Sequence, residues 1–120
     1  MLMYCRKGGF YFAQGALPLL LKAKEQAPQY PPTLIFTGAT ASLKGSATFS
    51  AFATGKFALR ALAQSLAREF GPQGVHVSHV ILDGVIDIPR TKSWKFEHED
   101  AKIDPVAVSY FFFLCLARRC

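Results

Sequence analysis

The segment Thr33–Lys56, TLIFTGATASLKGSATFSAFATGK, passes from a short apolar run through a turn-rich loop into the start of a helix. Thr33–Thr37 is too brief for a helix and suits a buried parallel strand. Gly38–Thr48 is made of small and hydroxyl residues, the composition of a loop. Phe49–Phe70 then shows helical periodicity: Leu59, Leu62, Leu66 and Phe70 share one face, and Ala53, Phe57, Ala61 and Ser65 form a second. Apolar residues on more than one side predict burial on more than one side. Phe52 and Lys56 stand one turn apart near the start of this helix, and Gly71-Pro72 ends it.

Upstream, Phe10–Gln26 predicts a helix with Leu17, Leu20 and Leu21 on one side and charge gathered at its C-terminal end, as the macrodipole favours. Pro18 lies well inside it and predicts a kink or a restart. Ala27–Pro32, APQYPP, breaks the helix and delivers an extended chain to Thr33. Downstream, Val75–Leu82, VHVSHVIL, predicts a second buried strand, and Asp83-Gly84 opens a loop. Arg90–Asp104 is polar and poorly periodic, as expected of a mobile flap, and Pro105 suits the first turn of a last helix reaching about Leu116. The order helix, strand, helix, strand, helix predicts an α/β fold whose two parallel strands are joined by a right-handed crossover. Two strands make a poor independent sheet, so the chain is expected to be part of something larger.

At 120 residues there is one domain at most, residues 1–120. Half the residues are apolar and 18% are charged, which predicts a packed core and excludes a disordered chain. The net charge of +6 is spread along the sequence with no basic run, so it reads as solubilising charge rather than a nucleic-acid surface. Cys5, Cys115 and Cys120 lack metal-ligand spacing, and their odd number favours a reducing compartment, hence a cytoplasmic location. The start lacks the apolar core of a signal peptide. The longest apolar stretch, Val106–Ala117, is too short to span a bilayer and is expected to be covered by protein.

Two motifs invite a chemical reading. Thr37–Gly45, TGATASLKG, has the opening of a dinucleotide-binding turn, but Ser42 and Lys44 stand where glycines would let backbone amides approach a pyrophosphate. No acidic residue follows at the distance needed to hold a ribose, so the turn is rejected as a phosphate cradle. His76 and His79 are three apart in a predicted strand and face opposite ways, which argues against a shared metal site and for structural or solvent-facing roles.

Several segments in order carry a more specific signal. Gly8-Gly9-Phe10 with Phe12-Ala13-Gln14 and Ala16-Leu17-Pro18, Thr33–Gly38, Phe52–Lys56 followed by Phe57-Ala58-Leu59, Ala63–Glu69, Gly74–Val77 and the Asp83-Gly84 turn together resemble the C-terminal half of the short-chain dehydrogenase/reductase family. The resemblance implies a partial Rossmann-like fold and descent from oxidoreductases that use NAD or NADP. The family's earlier strands, with the glycine-rich turn and acidic ribose ligand, are expected to be missing from this chain, making it a truncated member with doubtful cofactor affinity.

By the same resemblance the site is altered. The catalytic Tyr position is Phe52, the Lys position retains Lys56, the Ser position falls on Ala39 (a one-residue slip would place Thr40 there), and the Asn position falls near Cys5. Asp83 and Gly84 correspond to the family's Pro-Gly loop, and Ile88 to the Thr that contacts the nicotinamide. A phenylalanine has no proton to transfer, so this chain alone is expected to be an impaired, pseudoenzyme-like relative. Lys56 is read equally as a ribose contact or a solvated helix lysine, and Phe52 as core or interface filler. The resemblance also implies a homodimer, or pairing with a family partner, through the helices at 10–26 and 49–70. A non-catalytic dimerisation module and a non-functional fragment with an exposed sheet edge are the alternatives.

Overall fold

The computed structural model describes residues 2–26, 28–96 and 102–117, with side chains described from Lys7 onward in the first helix and up to Leu116 in the last. Helix α1 runs over Leu2–Glu25, strand β1 over Thr33–Ala39, helix α2 over Ser50–Phe70 and strand β2 over His76–Leu82. Two very short strands follow, β3 at Val85–Ile86 and β4 at Lys102–Ile103, before helix α3 at Pro105–Ala117. The predicted α/β order holds, and the short strands are an addition to it.

Strands β1 and β2 pair in parallel along their whole length, from Thr33 opposite His76 to Ala39 opposite Leu82. Helix α2 is the connection between them. Its buried side supplies Leu59, Ala63 and Leu66, which meet Leu34 and Phe36 of β1, Val77 of β2, and Ala13 and Leu17 of α1 in one core. Leu20, Leu21, Leu62 and Phe70 pack partly against it. Burying each such aliphatic or aromatic side chain is worth roughly 1.5–3 kcal/mol, so this α1–α2–sheet sandwich is where the fold is held.

Several expectations change. Helix α1 begins well before Phe10 and continues through Pro18 without a restart. The second apolar face of α2 is not covered, since Ala53 is buried while Phe57, Ala61 and Ser65 are exposed. Strand β1 is buried on one side only, because Leu34, Phe36 and Gly38 point to the helices while Thr37 is exposed. Finally, the stretch from Arg90 is anchored. Thr91 is buried and its hydroxyl donates to Ile86 O at 2.6 Å while accepting from Ile88 N–H. Strand β4 pairs in parallel with β3, and Lys102 Nζ lies 3.5 Å from Asp87 Oδ1. The middle of that stretch, 97–101, lies outside the described residues.

Helix α3 carries Val106, Tyr110, Phe111, Phe113, Leu114 and Leu116 exposed, contrary to the expectation that protein covers it. Among the described residues no helix is long and apolar enough to cross a membrane.

Candidate active site

The C-terminal ends of β1 and β2 open into a cleft of about 480 Å³, lined by Ala39, Thr40, Lys44, Phe49, Phe52, Leu82, Gly84, Val85 and Trp94 among others. Ligand clefts in α/β folds lie at the carboxyl ends of parallel strands, where loops diverge. Here the end of β1 delivers Ala39, the following 3-10 turn at Thr40–Ser42 delivers Thr40, and the first turn of α2 delivers Phe52.

Lys56 follows Phe52 by one turn. Its ammonium donates to the Thr37 carbonyl at 2.8 Å and lies 5.7 Å from the centroid of the Phe52 ring, within cation–π range. Phe52 also meets Phe49 edge-on, with ring centroids 6.4 Å apart and planes at 65°. Ala39 presents only a methyl group to the cleft, and its N–H donates to Ser42 Oγ at 3.1 Å. Ser42 itself is 0% exposed, so its hydroxyl is structural. Thr40, the alternative Ser position, donates its hydroxyl to Asp83 Oδ1.

The structure therefore brings Ala39, Phe52 and Gly84 to one cleft, sets Lys56 beside Phe52, and ties Asp83 to the cleft through Thr40. Ile88 is not among the lining residues; its N–H donates to Thr91 Oγ1 at 3.0 Å. The side chain of Cys5 lies outside the described residues. Phe49, Lys44 and Trp94 were not singled out as site residues from sequence, because a lone aromatic or lysine in a loop carries no spacing signal.

Behind the cleft, His79 of β2 lies against Gly38 of β1. A Cβ at Gly38 would run into the His79 imidazole, at 2.5 Å from its Nε2, and would lie 2.8 Å from Ser42 Oγ. Burial, with Arg60 and Lys56 contributing like charge, holds the His79 imidazole below its ordinary range. His79 Nε2 and His76 Nε2 are buried without a hydrogen-bond partner among the described residues. Among those residues no three His, Cys, Asp or Glu side chains are grouped to hold a metal.

A family model described as short chain dehydrogenase matches residues 6–99. The chain belongs to the short-chain dehydrogenase family. Among solved structures, a short-chain dehydrogenase from Rhodopseudomonas palustris is 42% identical over 61% of this chain and 38% of its own, with a TM-score of 0.41. A short chain dehydrogenase from Salmonella enterica subsp. enterica serovar Typhi str. CT18 shares the fold at a TM-score of 0.76, with 24% identity over 96% of this chain and 45% of its own. The chain thus spans less than half the length of either. No curated protein matches it.

The family implies NAD or NADP, and the described residues fit such a dinucleotide poorly. Lys56, at the position that resembles the family's lysine, donates to Thr37 O. Gly38, which opens the turn with the dinucleotide-like TG start, is covered by His79 rather than open to a phosphate.

Proposed function

We propose that these residues form the active-site half of a short-chain dehydrogenase fold from which proton transfer has been lost, leaving a cleft that binds without reducing or oxidising. The observation that carries this is the Phe52 ring, standing in the cleft with the Lys56 ammonium beside it and the Ala39 methyl group at the end of β1. General acid catalysis at a carbonyl oxygen needs a proton on an atom within hydrogen-bond reach, and a benzene ring has none. A side-chain hydrogen bond to a developing alkoxide is likewise unavailable from Ala39. The Thr40 hydroxyl, nearest in sequence, gives its proton to the Asp83 carboxylate.

The test is turnover. Purified chain incubated with NADH or NADPH and a panel of aliphatic and aromatic aldehydes and ketones is expected to oxidise no more nucleotide than a protein-free control. Carbonyl-dependent oxidation proportional to protein concentration contradicts the proposal.

The exposed aromatics favour a second, compatible reading as a dimerisation module. Phe10, Tyr11, Phe12 and Leu19 of α1 and Phe57 of α2 are exposed, large apolar side chains of the kind found at association surfaces. Packing α1 and α2 against a second copy, or against another family member, in a symmetric four-helix contact would cover them.

A further inference from the structure

We infer that the cleft beside Phe52 is a site for an apolar monocarboxylate, its hydrocarbon part against the aromatic wall and its carboxylate at Lys44. This rests on the proposal above that the cleft binds without redox chemistry, and it adds the class of ligand.

The wall comes from two separate places in the chain: Phe49 and Phe52 stand at the start of α2, and Trp94 follows β3. Leu82 and Val85 complete it. The edge-to-face contact of Phe49 with Phe52 fixes those two rings relative to each other. Phe49 and Trp94 nevertheless stay 56% and 50% exposed, so a hydrocarbon entering the cleft covers aromatic surface that now faces water. The volume of about 480 Å³ lies inside the roughly 300–1,000 Å³ typical of small-molecule sites.

The polar groups choose the head. Lys44 lines the cleft, is exposed, and forms no ion pair among the described residues. Its charge disfavours a cationic ligand and attracts an anionic one, as does the net charge of +6. The Asp83 carboxylate that would repel an anion is not among the lining residues, and one of its oxygens accepts the Thr40 hydroxyl. That same bond removes the Thr40 proton that a neutral carbonyl or alcohol ligand would seek. A single ammonium matches a single carboxylate.

The chain holds one tryptophan, so emission from Trp94 reports the cleft directly. Decanoate, kept below its micelle concentration, is expected to change that emission saturably. Decanol, and decanoate added to the Lys44→Glu protein, are each expected to bind about tenfold more weakly, the loss of roughly 1.4 kcal/mol. Lys44→Arg retains decanoate binding, and circular dichroism confirms that the variants keep the fold. Absence of a saturable response, equal affinity for decanol, or indifference to Lys44→Glu overturns the inference. The two proposals fail separately: oxidation of NADH driven by decanal would remove the non-redox reading while leaving decanoate affinity to be measured, and loss of decanoate binding would leave the turnover result untouched.

Discussion

The Lys56 ammonium sits 5.7 Å from the centre of the Phe52 ring, one helical turn away and facing the same end of the sheet. The resemblance of Phe52–Lys56 to the family's active-site segment implies that a lysine so placed acts on a phenol. Here it meets a ring face and a backbone carbonyl, Thr37 O at 2.8 Å. The Phe52 ring carries no proton for that charge to tune.

That relationship can be tested by restoring the hydroxyl. In Phe52→Tyr the new phenol lies close to an ammonium, and a neighbouring positive charge favours the phenolate. Its titration is expected below the ordinary tyrosine value of about 10. Ultraviolet difference titration of Phe52→Tyr against the unsubstituted protein isolates that group. Adding Lys56→Met is expected to bring the phenol back up; a phenol indifferent to Lys56 would show that the two side chains do not interact.

At Gly38 the backbone leaves no room for a side chain. With any Cβ there the His79 imidazole must move, and Ser42 Oγ is only 2.8 Å from the same point. Both neighbours are packed, so Gly38→Ala is expected to destabilise the fold by about 1–3 kcal/mol, the usual cost of forcing volume into a filled site. Urea denaturation measures it, and an unchanged midpoint would mean that the ring yields freely.

His79 also links stability to pH. Burial, followed by the charges of Arg60 and Lys56, lowers its folded-state pKa from the ordinary 6.5. The unfolded chain therefore binds the proton more readily than the folded one in the window just below that value, and stability falls as pH drops through it. The contribution is complete above pH of about 6.5 and is lost as pH falls toward the lowered folded-state value. Melting curves of the natural chain and His79→Asn between neutral and mildly acidic pH are expected to converge as pH falls. Parallel curves would remove His79 as the cause.

Much of the core could be read from periodicity. Leu17, Leu59 and Leu66 recur at helical spacing, Val77 and Val80 lie in an apolar run, and all five are buried. The helix predicted from Phe10 begins instead at Leu2, because residues 2–9 carry no apolar periodicity that would have marked them as helical. Gly9 lets α1 approach α2, since a Cβ there would lie 2.5 Å from Leu59 Cδ1. Strands β3 and β4 have two residues each, too few to show any alternation. Phe52 and Lys56 stood out only through the resemblance of the ordered segments to the family, since the one-turn spacing alone carries no signal. Trp94 did not, because only the return of the chain after β3 brings it to the cleft.

Phe57 is 42% exposed on α2, whereas Leu59 is buried in the core. The two positions therefore separate association from folding. Sedimentation is expected to show a dimer that Phe57→Asp dissociates at least tenfold more readily without changing the melt, since burial of an unpaired charge at an interface is costly. Leu59→Asp is expected to unfold the chain instead. A monomer at all concentrations would remove the α1–α2 face as a dimer contact.

The claim that proton transfer has been lost is tested most directly by following the hydride. The chain is incubated with nicotinamide nucleotide deuterated at the transferable position and with an aldehyde, and the alcohol product is analysed by mass spectrometry. The predicted result is no deuterated alcohol above the protein-free control. Deuterium in the alcohol, in proportion to the protein added, would contradict it.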